Sequence, residues 1–144
     1  MKISITKHVL AMALTCMLMG NSLLSFADVA IIVHPSNNAA LSKKDVQRIF
    51  LGKLKEFPGG GMAIPIDLPQ KSEVRGELNA LVINKDMRQI KSYWSRLIFT
   101  GKGLPPKQVS TIEEAKKIVA RNPDAIAYIS EAFLDETVKR IVFN

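Results

Sequence analysis

The sequence predicts an α/β fold, a single lobe in which a mixed sheet of about four strands is flanked by helices. Three observations predict it. Short apolar runs rich in β-branched residues recur along the chain, as at residues 29–33 (VAIIV) and 125–129 (AIAYI). Between them lie segments whose apolar residues fall at helical spacing, several opened by a capping residue. Gly- and Pro-rich stretches separate the segments, so strands and helices alternate and call for a layered sheet.

The elements follow in order. Residues 29–33 lack polar alternation, which suits a strand covered on both faces. A polar loop, His34-Pro35-Ser36-Asn37-Asn38, ends it. Ser42 with Asp45 approximates a capping box, Leu41 can staple onto Val46, and Val46, Ile49 and Phe50 give the following helix an apolar face closed by Gly52. Residues 57–61 (FPGGG) must turn, and residues 62–67 (MAIPID) form a second strand that Pro65 confines to an edge or an irregular pairing. Ser72 can cap a helix through Val74, Leu78, Leu81 and Val82. A further helix starts near Asn84, buries Met87, Ile90, Trp94, Leu97 and Ile98, and closes at Gly101. Residues 102–108 are expected to be loop. Ser110 with Glu113 reads as the capping box of the last long helix, before Asn122-Pro123. Residues 125–129 and 137–143 supply the remaining strands.

The first residues predict export. Lys2 and Lys7 precede an apolar run at residues 9–20 (VLAMALTCMLMG), and Ser25-Phe26-Ala27 offers small residues where a signal peptidase cuts. Residues 1–27 are thus expected to be a cleavable signal peptide and residues 28–144 one domain working outside the cytoplasm. The interruption at Gly20-Asn21-Ser22 argues against a membrane anchor, which needs about 20 predominantly apolar residues. Cys16 is the only cysteine and lies in the leader, which excludes a disulfide framework, a thiol nucleophile and a thiolate metal site downstream.

The formal charge is +7, and the chain stays basic without Lys2 and Lys7, which favours anionic partners. Its cations are scattered rather than blocked. In an open α/β sheet ligands sit at the carboxyl ends of strands. Two loops fit, the one holding Ser36 and Asn37 and the one at residues 68–75 (LPQKSEVR), where Ser72, Lys71 and Arg75 surround a helix start able to hold an anion. A plain helix cap and a plain polar turn account for the same residues. His34 is the only histidine past the leader, so no histidine metal cluster exists and no metal or cofactor is expected. Hydrolase, zincin and P-loop signatures are absent, and a triad could form only through His34. No enzyme activity is expected. Tyr93-Trp94 lies among cations as in nucleic-acid sites, but export and the place of Trp94 on an apolar stripe favour core packing and no nucleic-acid partner.

Residues 49–53 (IFLGK), 93–103 (YWSRLIFTGKG), Pro105-Pro106 and 125–129 (AIAYI), taken in this order, resemble the periplasmic phosphate-binding-protein-like family, which includes the substrate-binding proteins of phosphate ABC importers. The resemblance covers nearly all of residues 28–144. It implies a type II periplasmic-binding-protein domain that holds phosphate or a similar oxyanion without catalysis, through backbone amides, hydroxyls and an arginine. It also implies a periplasmic location and a partner such as an ABC permease, a sensor or another envelope protein. The family's Ser-Gly-Thr anion segment corresponds here to Ser72-Glu73-Val74. Ser72 is kept, Glu73 brings a negative charge, and Arg75 stands as a substitute for an arginine that the family places before the serine. Ser36, Asn37, Ser72 and Arg75 are the expected contacts. Importer receptors close two lobes on the ligand, whereas this chain has the length of one, so the alternative is an envelope protein-interaction module that has lost its ligand.

Overall fold

The computed structural model describes residues 28–143; the expected signal peptide lies outside the described residues. The elements are β1 (Val29–Val33), α1 (Lys43–Phe50), β2 (Ile64–Asp67), α2 (Glu73–Leu78) running into a π-helical turn (Asn79–Ile83), α3 (Met87–Phe99), β3 (Lys107–Gln108), α4 (Ile112–Arg121), β4 (Ala125–Ser130), a 3₁₀ turn (Glu131–Phe133) and β5 (Lys139–Arg140). They form one five-stranded mixed sheet in the order β3-β2-β4-β1-β5. The α/β class is as expected, with one strand more than the sequence suggested. The extra strand, β3, lies inside the expected loop. It is two residues long and follows Pro105-Pro106, so it carries no periodic signal.

β4 is the middle strand and its first five residues are fully buried, as its unbroken apolar run requires. β1 pairs with it antiparallel, Val29 facing Ser130 and Val33 facing Ile126. β2 pairs with it parallel, Ile64 facing Ala125 and Pro65 facing Ile126. β3 pairs parallel to β2 only from Ile66 onward, so Pro65, which has no N–H, stands where the outer ladder has not begun. Residues of β1, β2, β4, α1, α2 and α4 share one buried core, with Ile32, Val46, Ile49, Ala115, Val119 and Ile126 at or near zero exposure.

Helix starts show which local signals carry through. Ser42 and Asp45 form the expected capping box, Ser42 Oγ accepting from the Asp45 N–H at 3.2 Å. The last long helix is capped one residue later than expected, by Thr111, while Glu114 accepts from the Ser110 N–H. α3 starts at the Asp86 cap, reinforced by Gln89, because Asn84 is taken up by a left-handed turn at φ 56° that closes the π-helical segment. Trp94 is buried, as its apolar stripe predicts, but Ile98, expected on the same stripe, is exposed in the last turn, beyond the core; Tyr93 donates its hydroxyl to the Leu51 carbonyl at 2.7 Å.

Candidate functional site

Strand direction decides where the two candidate loops lie. Because β2 runs parallel to β4, its carboxyl end lies beside Tyr128 at the far end of that strand. β1 runs the other way, so its carboxyl end lies beside the start of β4, where Asn37 Nδ2 reaches the Pro123 carbonyl at 3.4 Å. From Ala125 to Tyr128 the chain climbs about 10 Å at ~3.3 Å per strand residue. Ser72 and Arg75 therefore stand at one end of the sheet and Ser36 and Asn37 at the other. A single small anion cannot touch both pairs.

The β2 end is built around a buried ion pair. Arg75 Nη2 lies 2.7 Å from Asp67 Oδ2, and Arg75 Nη1 donates to the Leu68 carbonyl at 2.8 Å. Tyr128 donates its hydroxyl to Asp67 Oδ1, while the Leu68 N–H, 3.0 Å from each, points at both that carboxylate and the tyrosine oxygen. Asp67 and Arg75 are each only 8% exposed. Burial pushes the Asp67 carboxyl above its ordinary range, against the pull of the Tyr128 hydroxyl, Arg75 and the Leu68 amide. Burial also raises the Tyr128 phenol, and the Asp67 charge beside it adds to the effect. Together these contacts fix the peptide of Leu68 and hence the turn into α2.

That turn presents the first helical residues to solvent. Ser72 donates its N–H to the Pro69 carbonyl at 2.9 Å, and its Oγ accepts from the Arg75 N–H at 3.4 Å, so it is the N-cap of α2. Ser72 is half-buried, and Lys71 and Glu73 are exposed. Helical geometry leaves the first-turn amides without intrahelical partners, which suits them to an anion. The Arg75 guanidinium faces inward to Asp67 and Leu68, not outward to that turn.

The β1 end is open and polar. The His34 Nδ1 and Ser36 Oγ are 2.7 Å apart, Asn37 Oδ1 accepts from the Ala39 N–H at 2.9 Å, and Lys139 Nζ reaches the Asn37 carbonyl at 2.9 Å and Asn38 Oδ1 at 3.0 Å. Residues 36–39, 57–61, 123 and 124 line a cleft of about 340 Å³ there. His34 bonds to a serine rather than to a carboxylate, so the orienting third member of a hydrolytic triad is not in its hydrogen bonds. Among the described residues, no group of three His, Cys, Asp or Glu side chains could hold a metal ion, and no helix is long and apolar enough to cross a membrane.

Sequence reasoning missed Asp67, which holds Arg75, and Tyr128, which holds Asp67. A signal for them existed: a tyrosine inside an otherwise aliphatic buried strand needs a partner for its hydroxyl. The partner is the one acidic residue at the end of the neighbouring strand.

No protein-family model matches the chain, and no curated protein sequence does. Solved structures do. An ABC-type phosphate transport receptor from Vibrio cholerae superposes with a TM-score of 0.65 at 20% identity, over 80% of this chain and 45% of the receptor. A putative phosphate ABC transporter substrate-binding protein with bound phosphate, from Clostridium perfringens, gives 0.63 at 19% identity, over 78% and 43%. PstS from Borrelia burgdorferi gives 0.61 at 12% identity, over 81% and 47%. This chain thus carries a type II periplasmic-binding-protein domain fold and spans less than half the length of each of these three proteins.

Proposed function

We propose that the chain is an exported binding protein for phosphate or a similar oxyanion, working in the periplasm as an accessory to an ABC importer or as a sensor, with residues 1–27 removed as a signal peptide. The reading rests on the fold: the structures it resembles are substrate-binding proteins, one of them solved with phosphate. The best-formed place for the anion is the turn from β2 into α2. Ser72 and the first-turn amides of α2 are the contacts, Lys71 adds charge from solvent, and Arg75 acts from behind by fixing the turn through Asp67 and Leu68. Ser36 and Asn37, at the other end of the sheet, belong to a separate polar cleft and would contact only a second ion.

An open turn surrounds an ion from one side only, so affinity is weak until a partner or a second copy covers it. Equilibrium dialysis with labelled phosphate, using sulfate and chloride as competitors, tests the reading. Selective retention that falls in Ser72→Ala and rises in Glu73→Gln, where a repelling charge is removed, supports it. Absence of selective retention at millimolar phosphate overturns it in favour of the envelope interaction module. Two observations favour that second reading: Arg75 is already neutralised by Asp67, and Glu73 places a negative charge in the first helical turn.

A further inference from the structure

We propose that the tip formed by the end of α3 and the loop after it is a contact surface for a bilayer containing anionic lipid. Phe99 is 92% exposed, Leu104 79% and Ile98 50%, three large apolar side chains within seven residues of chain. Single exposed apolar residues are ordinary; three on the end of one helix and the loop that follows it are the feature that points to a contact surface.

The exposure is built in by the fold. Thr100 closes the helix, its N–H and its Oγ both donating to the Arg96 carbonyl, at 3.1 and 2.8 Å. Gly101 takes φ 67°, a left-handed conformation that turns the chain, and the Lys102 N–H returns to the Leu97 carbonyl at 2.9 Å. Behind the turn, Gly103 lies against the side chains of Leu97 and Trp94, so the loop is backed by the core. Phe99 and Leu104 are held outward on a fixed support.

The charge of the segment that carries this tip, between Asp86 and Glu113, selects the occupant. Residues 87–112 contain no Asp or Glu but carry Arg88, Lys91, Arg96, Lys102 and Lys107, all exposed. The ion pairs among the described residues are Arg75–Asp67, Lys116–Asp135 and Arg140–Glu131, so none of these five cations is in one of them. Apolar side chains that project from a segment carrying exposed cations suit an interface where the apolar ends enter the acyl boundary and the cations meet lipid phosphates. The inference is independent of oxyanion binding at the β2 end.

The test is co-sedimentation of the chain from Asp28, which carries the whole sheet and core, with vesicles of phosphatidylcholine alone or mixed equally with phosphatidylglycerol. Near-ultraviolet circular dichroism of Trp94 checks that each variant is folded. The expected result is retention on the anionic vesicles only, weakening as salt rises. Phe99→Ser with Leu104→Ser should lower the partition at least about tenfold, as should Arg96→Glu with Lys102→Glu. Val142→Ser, at an exposed apolar site outside the tip, should change nothing. Equal partition onto both vesicle types, no partition, or wild-type partition by the folded tip variants would overturn the proposal.

Discussion

The two ends of the sheet contain similar residue types and are built on opposite plans. At the carboxyl end of β2, charged and hydroxyl groups are buried and locked to one another: Asp67, Arg75 and Tyr128 converge on the peptide of Leu68. At the carboxyl end of β1, His34, Ser36, Asn37 and Asn38 remain in or near solvent and bond mostly within their own turn, with Lys139 and Pro123 as outside partners. A buried ion pair is costly to break and holds its geometry; an exposed polar turn is cheap to alter and holds little. The turn into α2 is therefore the end where backbone amides stay fixed for a ligand.

The largest test of this contrast is to break the pair. Arg75→Ala leaves Asp67 buried without its cation and should cost about 3–5 kcal/mol, read by urea denaturation. Arg75→Met together with Asp67→Asn should recover much of that loss, because no unpaired charge then remains inside. Tyr128→Phe should cost about 1–2 kcal/mol, since Asp67 keeps Arg75 and the Leu68 amide. Ser72→Ala, a lost helix cap, should cost about 1 kcal/mol. At the other end, Ser36→Ala should stay within about 0.5 kcal/mol. If Ser36→Ala matched Arg75→Ala, the two ends would not differ as described.

The smallest effect is electrostatic and lies away from both ends. Hydrogen bonds from Lys116 and from Thr137 hold the Asp135 carboxyl down to about 2, below its ordinary 3.8. A lowered carboxyl contributes stability that is present above pH 3.8 and is lost as pH falls from there toward 2. Lys116→Met should make that acid dependence shallower, with a small loss of stability above pH 3.8 and none near pH 2, because the Thr137 hydrogen bonds remain and the pair is exposed. A pH series of thermal melts on the two proteins would measure it.

Much of this architecture can be read from residues. The continuous apolar runs place β1 and β4 in the core, and Ser42, Ser72 and Gly101 mark helix ends where local chemistry demands them. Strand direction could not be read. Nothing in the residues of β1 says that it runs against β4, yet that reversal alone separates Ser36 and Asn37 from Ser72 and Arg75. The role of Arg75 was hidden for a related reason. An arginine in a first helical turn suggests a ligand contact until the end of β2 brings Asp67 and the Leu68 carbonyl against it, and Tyr128, which bonds Asp67, is 53 residues away in sequence. β3 was missed because a two-residue strand takes its identity from the ladder of β2, not from its own side chains.

The most direct measurement is a two-dimensional amide NMR titration of the chain from Asp28 with phosphate, with sulfate and chloride at matched ionic strength. Saturable, phosphate-selective shifts are expected in the amides of residues 71–75, with those of residues 36–38 unmoved. Selective shifts at residues 36–38 alone, or none at either end at millimolar phosphate, would contradict it.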